Sequence, residues 1–107
     1  EQYGYIALLR QTLQRADMTY FDFLNPASVG SGNCEFIDGI HGGDVTYARL
    51  LRKIHDSIQD PHVRSLFDTA AIDATIRNNA GFAQAYDPKV TTADEIDFHE
   101  IGCPKKR

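Results

Sequence analysis

With 107 residues the chain has room for one small domain and a modest core. Eleven basic residues against fifteen acidic ones give a formal charge of −4, which opposes nonspecific binding to nucleic acid. A hydrophobic fraction of 42% is ordinary for a soluble domain, no stretch is long and apolar enough to span a bilayer, and no signal-peptide pattern opens the chain.

The first predicted element is a helix, with Ile6, Leu9, Leu13 and Ala16 as its buried stripe. Next comes Met18-Thr19-Tyr20-Phe21-Asp22-Phe23-Leu24, whose aromatic and β-branched content predicts a short buried strand stopped by Asn25-Pro26. A glycine-bearing loop follows, Phe36-Ile37-Asp38-Gly39-Ile40-His41-Gly42-Gly43. It runs into a helix with Asp44 as N-cap, where Tyr47, Ala48, Leu51, Ile54 and Ile58 recur at helical spacing and Arg49, Arg52 and Lys53 fall on the solvent side. Pro61 opens a second helical stretch through Val63, Leu66, Phe67, Ala70, Ala71 and Ala74, weakening at Asn78-Asn79 and Gly81. After Asp87-Pro88 the pattern fades into an acidic tail with Asp94, Glu95, Asp97 and Glu100, closed by the basic run Pro104-Lys105-Lys106-Arg107, which reads as solvated. The chain thus divides into an α/β segment over 1–60, a helical extension over 61–88 and an extended tail over 89–107.

Helix, strand, loop and helix in that order form the end of a doubly wound, flavodoxin-like α/β domain, in which functional groups sit beyond the carboxyl ends of the strands. Asp38 and His41 occupy that position. A carboxylate beside an imidazole accepts the Nδ1 proton, fixes the tautomer and leaves Nε2 free to take a proton from a nucleophile. Gly39 and Gly42-Gly43 permit a sharp turn and let a substrate or a second backbone come close. The alternative reading of the pair is a loop Asp bonded to nearby backbone next to a solvated His.

At these residues the chain resembles the C-terminal segment of the SGNH/GDSL hydrolase superfamily, especially its extracytoplasmic acyl-transfer branch of DltD-like and alginate O-acetylation proteins. The resemblance runs over about residues 3–58 and rests on Asp38-Gly39-Ile40-His41 followed by a helix, with Gly42-Gly43 where many relatives carry Pro. It implies an esterase or O-acyltransferase acting on acylated carbohydrate or cell-envelope polymer, with His41 as general acid/base, Asp38 as its orienter, no cofactor and a location outside the cytoplasm. It also implies a nucleophile block upstream, a Gly-Asp-Ser-like turn, to which nothing before Asp38 corresponds.

Ser28 and Ser31 lie in a turn-like loop, Ser57 and Ser65 at helix ends, and Gly32-Asn33 stands at the wrong place in the order of elements for an oxyanion-hole asparagine. Cys34 and Cys103 leave one disulfide arithmetically open, and Cys34 alone is a second, weaker choice of nucleophile for His41. His41, His55, His62 and His99 are scattered without the spacing of a zinc site. His55 reads as a cation near a helix C-terminus and His62 as a turn residue.

Half of a doubly wound sheet leaves a strand edge and apolar helix faces open. The sequence therefore reads as the C-terminal piece of a larger protein whose missing N-terminal half supplies the serine, or as a chain that pairs with another copy of itself. The competing function class is a non-catalytic binding or assembly module with the same terminal elements.

Overall fold

The computed structural model describes residues 2–86, Lys89 and Cys103. The tail residues Asp87, Asp94, Glu95, Asp97, Glu100 and His99 and the basic run Pro104-Lys105-Lys106-Arg107 lie outside this set.

The architecture is helical. Helix α1 spans Gln2–Arg15, α2 Asp44–Ser57, α3 Pro61–Arg64 and α4 Thr69–Asn79, and two short 3-10 turns, Pro26–Val29 and Asn33–Glu35, lie between α1 and α2. Among the described residues there is no strand, and the only ladder contact outside helices is an isolated antiparallel bridge between Phe36 and Gly42. This overturns the doubly wound α/β assignment. Residues 18–23 adopt no regular element, and the rings of Phe21 and Phe23 stack at 6.1 Å. A strand requires a neighbour for its N–H and C=O groups, and no other described segment offers one. Instead the segment is tied back to α1 by side chains, with Arg10 bonding Asp22 and the Gln14 amide approaching the Tyr20 hydroxyl at 3.4 Å.

Helix α1 ends where Asp17 takes a left-handed φ of 52° and Met18 N–H reaches back to the Leu13 carbonyl, the geometry of a Schellman stop. Its predicted buried stripe is only partly covered: Ile6 and Leu13 are half-buried, whereas Leu9 is exposed. The stretch predicted as one helix from Pro61 is two. Asp60 caps α3 by accepting from the His62 and Val63 N–H groups, tightened turns at Leu66 and Phe67 finish it, and Asp68 caps α4 by accepting from Ala71 N–H.

The packed unit is α2 against α4, with the 3-10 turns on one flank. Among the described residues, Val45, Ala48 and Ala83 are the buried apolar ones. Arg52 bonds Asp73 across the α2/α4 contact at 3.0 Å, and the His55 ring meets Phe67 edge-on. Helix α2 is rotated from its predicted orientation. Val45, Thr46 and Ala48 are buried and Arg49 is mostly covered, while Tyr47 and Leu51, assigned to the core, are 55% and 43% exposed. Its N-cap is Gly43 rather than Asp44, whose carboxylate instead accepts from the Ala85 N–H at 3.1 Å. Gly43 is demanded by contact: a Cβ there would stand 2.0 Å from the Ala83 carbonyl oxygen.

Candidate functional site

The loop between the second 3-10 turn and α2 is a tight, hairpin-like turn. Gly43 N–H donates to the Glu35 carbonyl at 2.8 Å, Phe36 and Gly42 form the bridge, and Ile37 N–H donates to the His41 carbonyl at 2.8 Å. Gly39 sits at the tip with φ +81°, a conformation that glycine adopts without steric cost.

Within this turn Asp38 and His41 are brought together. Asp38 Oδ1 accepts from the Ile40 and His41 backbone N–H groups at 3.1 and 2.8 Å, and Oδ2 lies 2.6 Å from His41 Nδ1. The His41 N–H, then its imidazole, then the Ile40 N–H hold the Asp38 carboxyl at about 2. It is therefore ionised at neutral pH, and an ionised carboxylate only accepts, so Nδ1 carries the proton and Nε2 is the ring's basic nitrogen. Both side chains are at least half exposed, and Nε2 has no partner among the described residues. The turn thus contains both features weighed from the sequence, an Asp that caps local backbone and an acid that orients an imidazole.

No described serine reaches this pair. Ser31 Oγ is buried, donating to Glu35 Oε2 and meeting Thr46 Oγ1, while Ser57 and Ser65 donate to the carbonyls of Lys53 and His62. Cys34 is bonded to Cys103, with Cα atoms 4.9 Å apart, which removes it as a nucleophile for His41. Asn33 lies in the 3-10 turn and lines an open cleft of about 410 Å³ whose wall includes Phe23, Leu24, Phe36 and Tyr47, with Gly39 and Gly42 on the side of the pair. Among the described residues no three His, Cys, Asp or Glu side chains converge as a metal ion requires, and no helix is long and apolar enough to cross a membrane. His55 lies beside Asp56, whose carboxyl is drawn down by the His55 hydrogen bond and the Arg52 pair.

The strongest polar cluster escaped the sequence reading. Glu35 is 2% exposed and its carboxylate receives four donors. Arg49 Nε and Nη2 approach Oε2 and Oε1 at 2.9 Å each, Ser31 Oγ donates to Oε2 at 2.7 Å, and Gly81 N–H donates to Oε1 at 3.0 Å. Burial pushes the Glu35 carboxyl up; the Arg49, Gly81 and Ser31 hydrogen bonds and the Arg49 charge outweigh it and leave the carboxyl below its ordinary value. Arg49, expected at the solvent, is thus a part-buried partner of Glu35. The signal was its spacing: it is one turn from Val45 and adjacent to Ala48, so a helix burying those residues carries Arg49 inward, where it demands an acid.

Comparison with protein-family models, with curated proteins and with solved structures returns no match for this chain.

Proposed function

We propose that the chain supplies the acid–imidazole half of an acyl-transfer site, with His41 as general acid/base and Asp38 as the group that fixes its tautomer. The observation that carries this reading is the 2.6 Å contact between Asp38 Oδ2 and His41 Nδ1 on an exposed turn, with Nε2 facing no described protein group. The nucleophile is then contributed by polypeptide beyond the described residues. The substrate class follows the resemblance of Asp38-Gly39-Ile40-His41: an ester of a carbohydrate or cell-envelope polymer, handled outside the cytoplasm. The Cys34–Cys103 disulfide supports that compartment, since oxidising environments are where such bonds persist. The described helical architecture lends this reading nothing.

The test is acetyl-ester turnover in the complete assembly that contains this chain and the nucleophile. His41→Ala abolishes it and Asp38→Asn lowers it by roughly 10⁴-fold, because the wrong tautomer then faces the nucleophile. Turnover that survives His41→Ala overturns the proposal. The chain by itself gives no sustained turnover; if it did, and lost it with His41→Ala, the nucleophile would lie within the chain.

A second reading, a non-catalytic binding or assembly module, is favoured by a different observation. Tyr47, Leu51, Leu24 and Met18 are exposed; Tyr47 and Leu24 line the apolar cleft, and Leu51 lies one turn along α2 from Tyr47. Self-association through this face fits that reading. Sedimentation across a range of concentrations tests it: Leu51→Glu shifts a self-associating chain toward monomer, and a wild-type chain that stays monomeric when concentrated excludes pairing between copies.

A further inference from the structure

The Asp38–His41 turn is suspended between residues 35 and 43, and one residue governs both attachments. The Glu35 carbonyl accepts the Gly43 N–H at 2.8 Å and the Thr46 hydroxyl at 2.9 Å, so it closes the turn and anchors it to the first turn of α2. The Glu35 carboxylate reaches in the opposite direction, to Arg49 on α2, to Gly81 just after α4 and to Ser31 before the turn. Each carboxylate oxygen receives two donors, which fills the acceptor sites of the group and leaves it one orientation. The turn itself has only short local bonds, and its tip is glycine. How Asp38 and His41 sit relative to α2 and the neighbouring cleft is therefore set at the stem.

We infer that Glu35 is the positioning residue of the Asp38–His41 pair: through its carbonyl and its fourfold-bonded carboxylate it holds the turn in the register that keeps Asp38 Oδ2 on His41 Nδ1. The inference rests on the reading of that pair as a functional site. Glu35 touches no reacting group and acts only through Asp38 and His41. Arg49 is its counterweight, the bidentate fork that stops the carboxylate from rotating.

The distinguishing measurement is the tautomer of His41, read from the ¹⁵N shifts of its two ring nitrogens at alkaline pH, where an imidazole is neutral. In the wild-type chain the Nδ1–H form dominates. Glu35→Gln keeps the shape of the side chain but replaces one acceptor oxygen with a donor, and the ratio of Nδ1–H to Nε2–H falls by about threefold or more in folded protein. Val45→Ala is the control, because it loosens the same end of α2 without touching Glu35; folded V45A keeps the wild-type ratio. Should Glu35→Gln fail to fold, Arg49→Lys retains the charge, loses the fork and gives a smaller fall in the same ratio. A wild-type ratio in folded E35Q or R49K overturns the inference. So does a fall in V45A that matches theirs, since the role would then be general stability. Asp38→Asn tests the underlying reading separately: if it leaves the His41 tautomer unchanged, the pair is not formed in solution and the functional proposal fails, whatever Glu35 does.

Discussion

Two acid–base pairs lie at the stem and the tip of one short turn, and they are built to opposite specifications. At the stem, Glu35 is sealed in with Arg49 bonding both of its oxygens. At the tip, Asp38 and His41 meet in the open, with a single side-chain bond between them. A buried pair is costly to break, because removing one partner strands the other charge away from water. An exposed pair is cheap to break, because water replaces either partner. The division separates the two pairs by their access to water: the inner pair braces the turn, and the outer one stands open to solvent.

The largest expected effect is on the inner pair. Glu35→Ala leaves the Arg49 guanidinium without its acid and lowers stability by about 3 kcal/mol, measured by urea unfolding. Gly43→Ala comes next. Its Cβ would meet the Ala83 carbonyl oxygen at 2.0 Å, so the start of α2 and the segment after α4 must separate, at a cost of about 2 kcal/mol in the same assay.

Acid should distinguish the pairs further. The Glu35 carboxyl is held below its ordinary 4.5 in the folded chain, so its contribution is complete above that value and is lost as pH falls through the folded value. Wild-type stability therefore declines below about pH 4.5, and Glu35→Gln flattens that part of the curve. Asp38 acts in the same direction in a lower window, from its ordinary 3.8 down to about 2, with a weaker effect because water surrounds it. The smallest effect on stability belongs to Asp38→Asn, which leaves the urea midpoint nearly unchanged while removing the preference of His41 for the Nδ1–H tautomer. A large loss of stability in that variant would erase the contrast between stem and tip.

Local features were the legible part of this molecule. The helix from Asp44 is α2 almost to the residue, and the glycines around His41 mark a tight turn and a close approach by a second backbone, that of Ala83. The Asp38–His41 contact is one of the readings their spacing leaves open, and the turn closed by the Ile37–His41 bond realises it. What misled was every inference that needs a partner from elsewhere in the chain. Residues 18–24 have the composition of a strand, but composition cannot supply a second strand to pair with. Tyr47 and Leu51 are apolar, but which face of α2 is buried is decided by the small residues Val45 and Ala48 that let α4 approach, and by an acid fourteen residues before Arg49. Glu35 lies in a run that reads as plain loop, and its importance appears only when Ser31, Arg49 and Gly81 are seen to meet on it.

The bond between Cys34 and Cys103 turns residues 34–103 into a covalent ring that contains the turn, α2 and α4, and leaves α1 on an arm outside it. A ring cannot be traded between two copies of a chain without being opened, whereas an arm can. On the N-terminal side of the ring, segment exchange between molecules is thus open, while the disulfide lasts, to α1 and the residues that follow it, which are fastened to each other by Arg10, Asp22, Gln14 and Tyr20. The Asp38–His41 turn and the Glu35 stem therefore stay within one molecule.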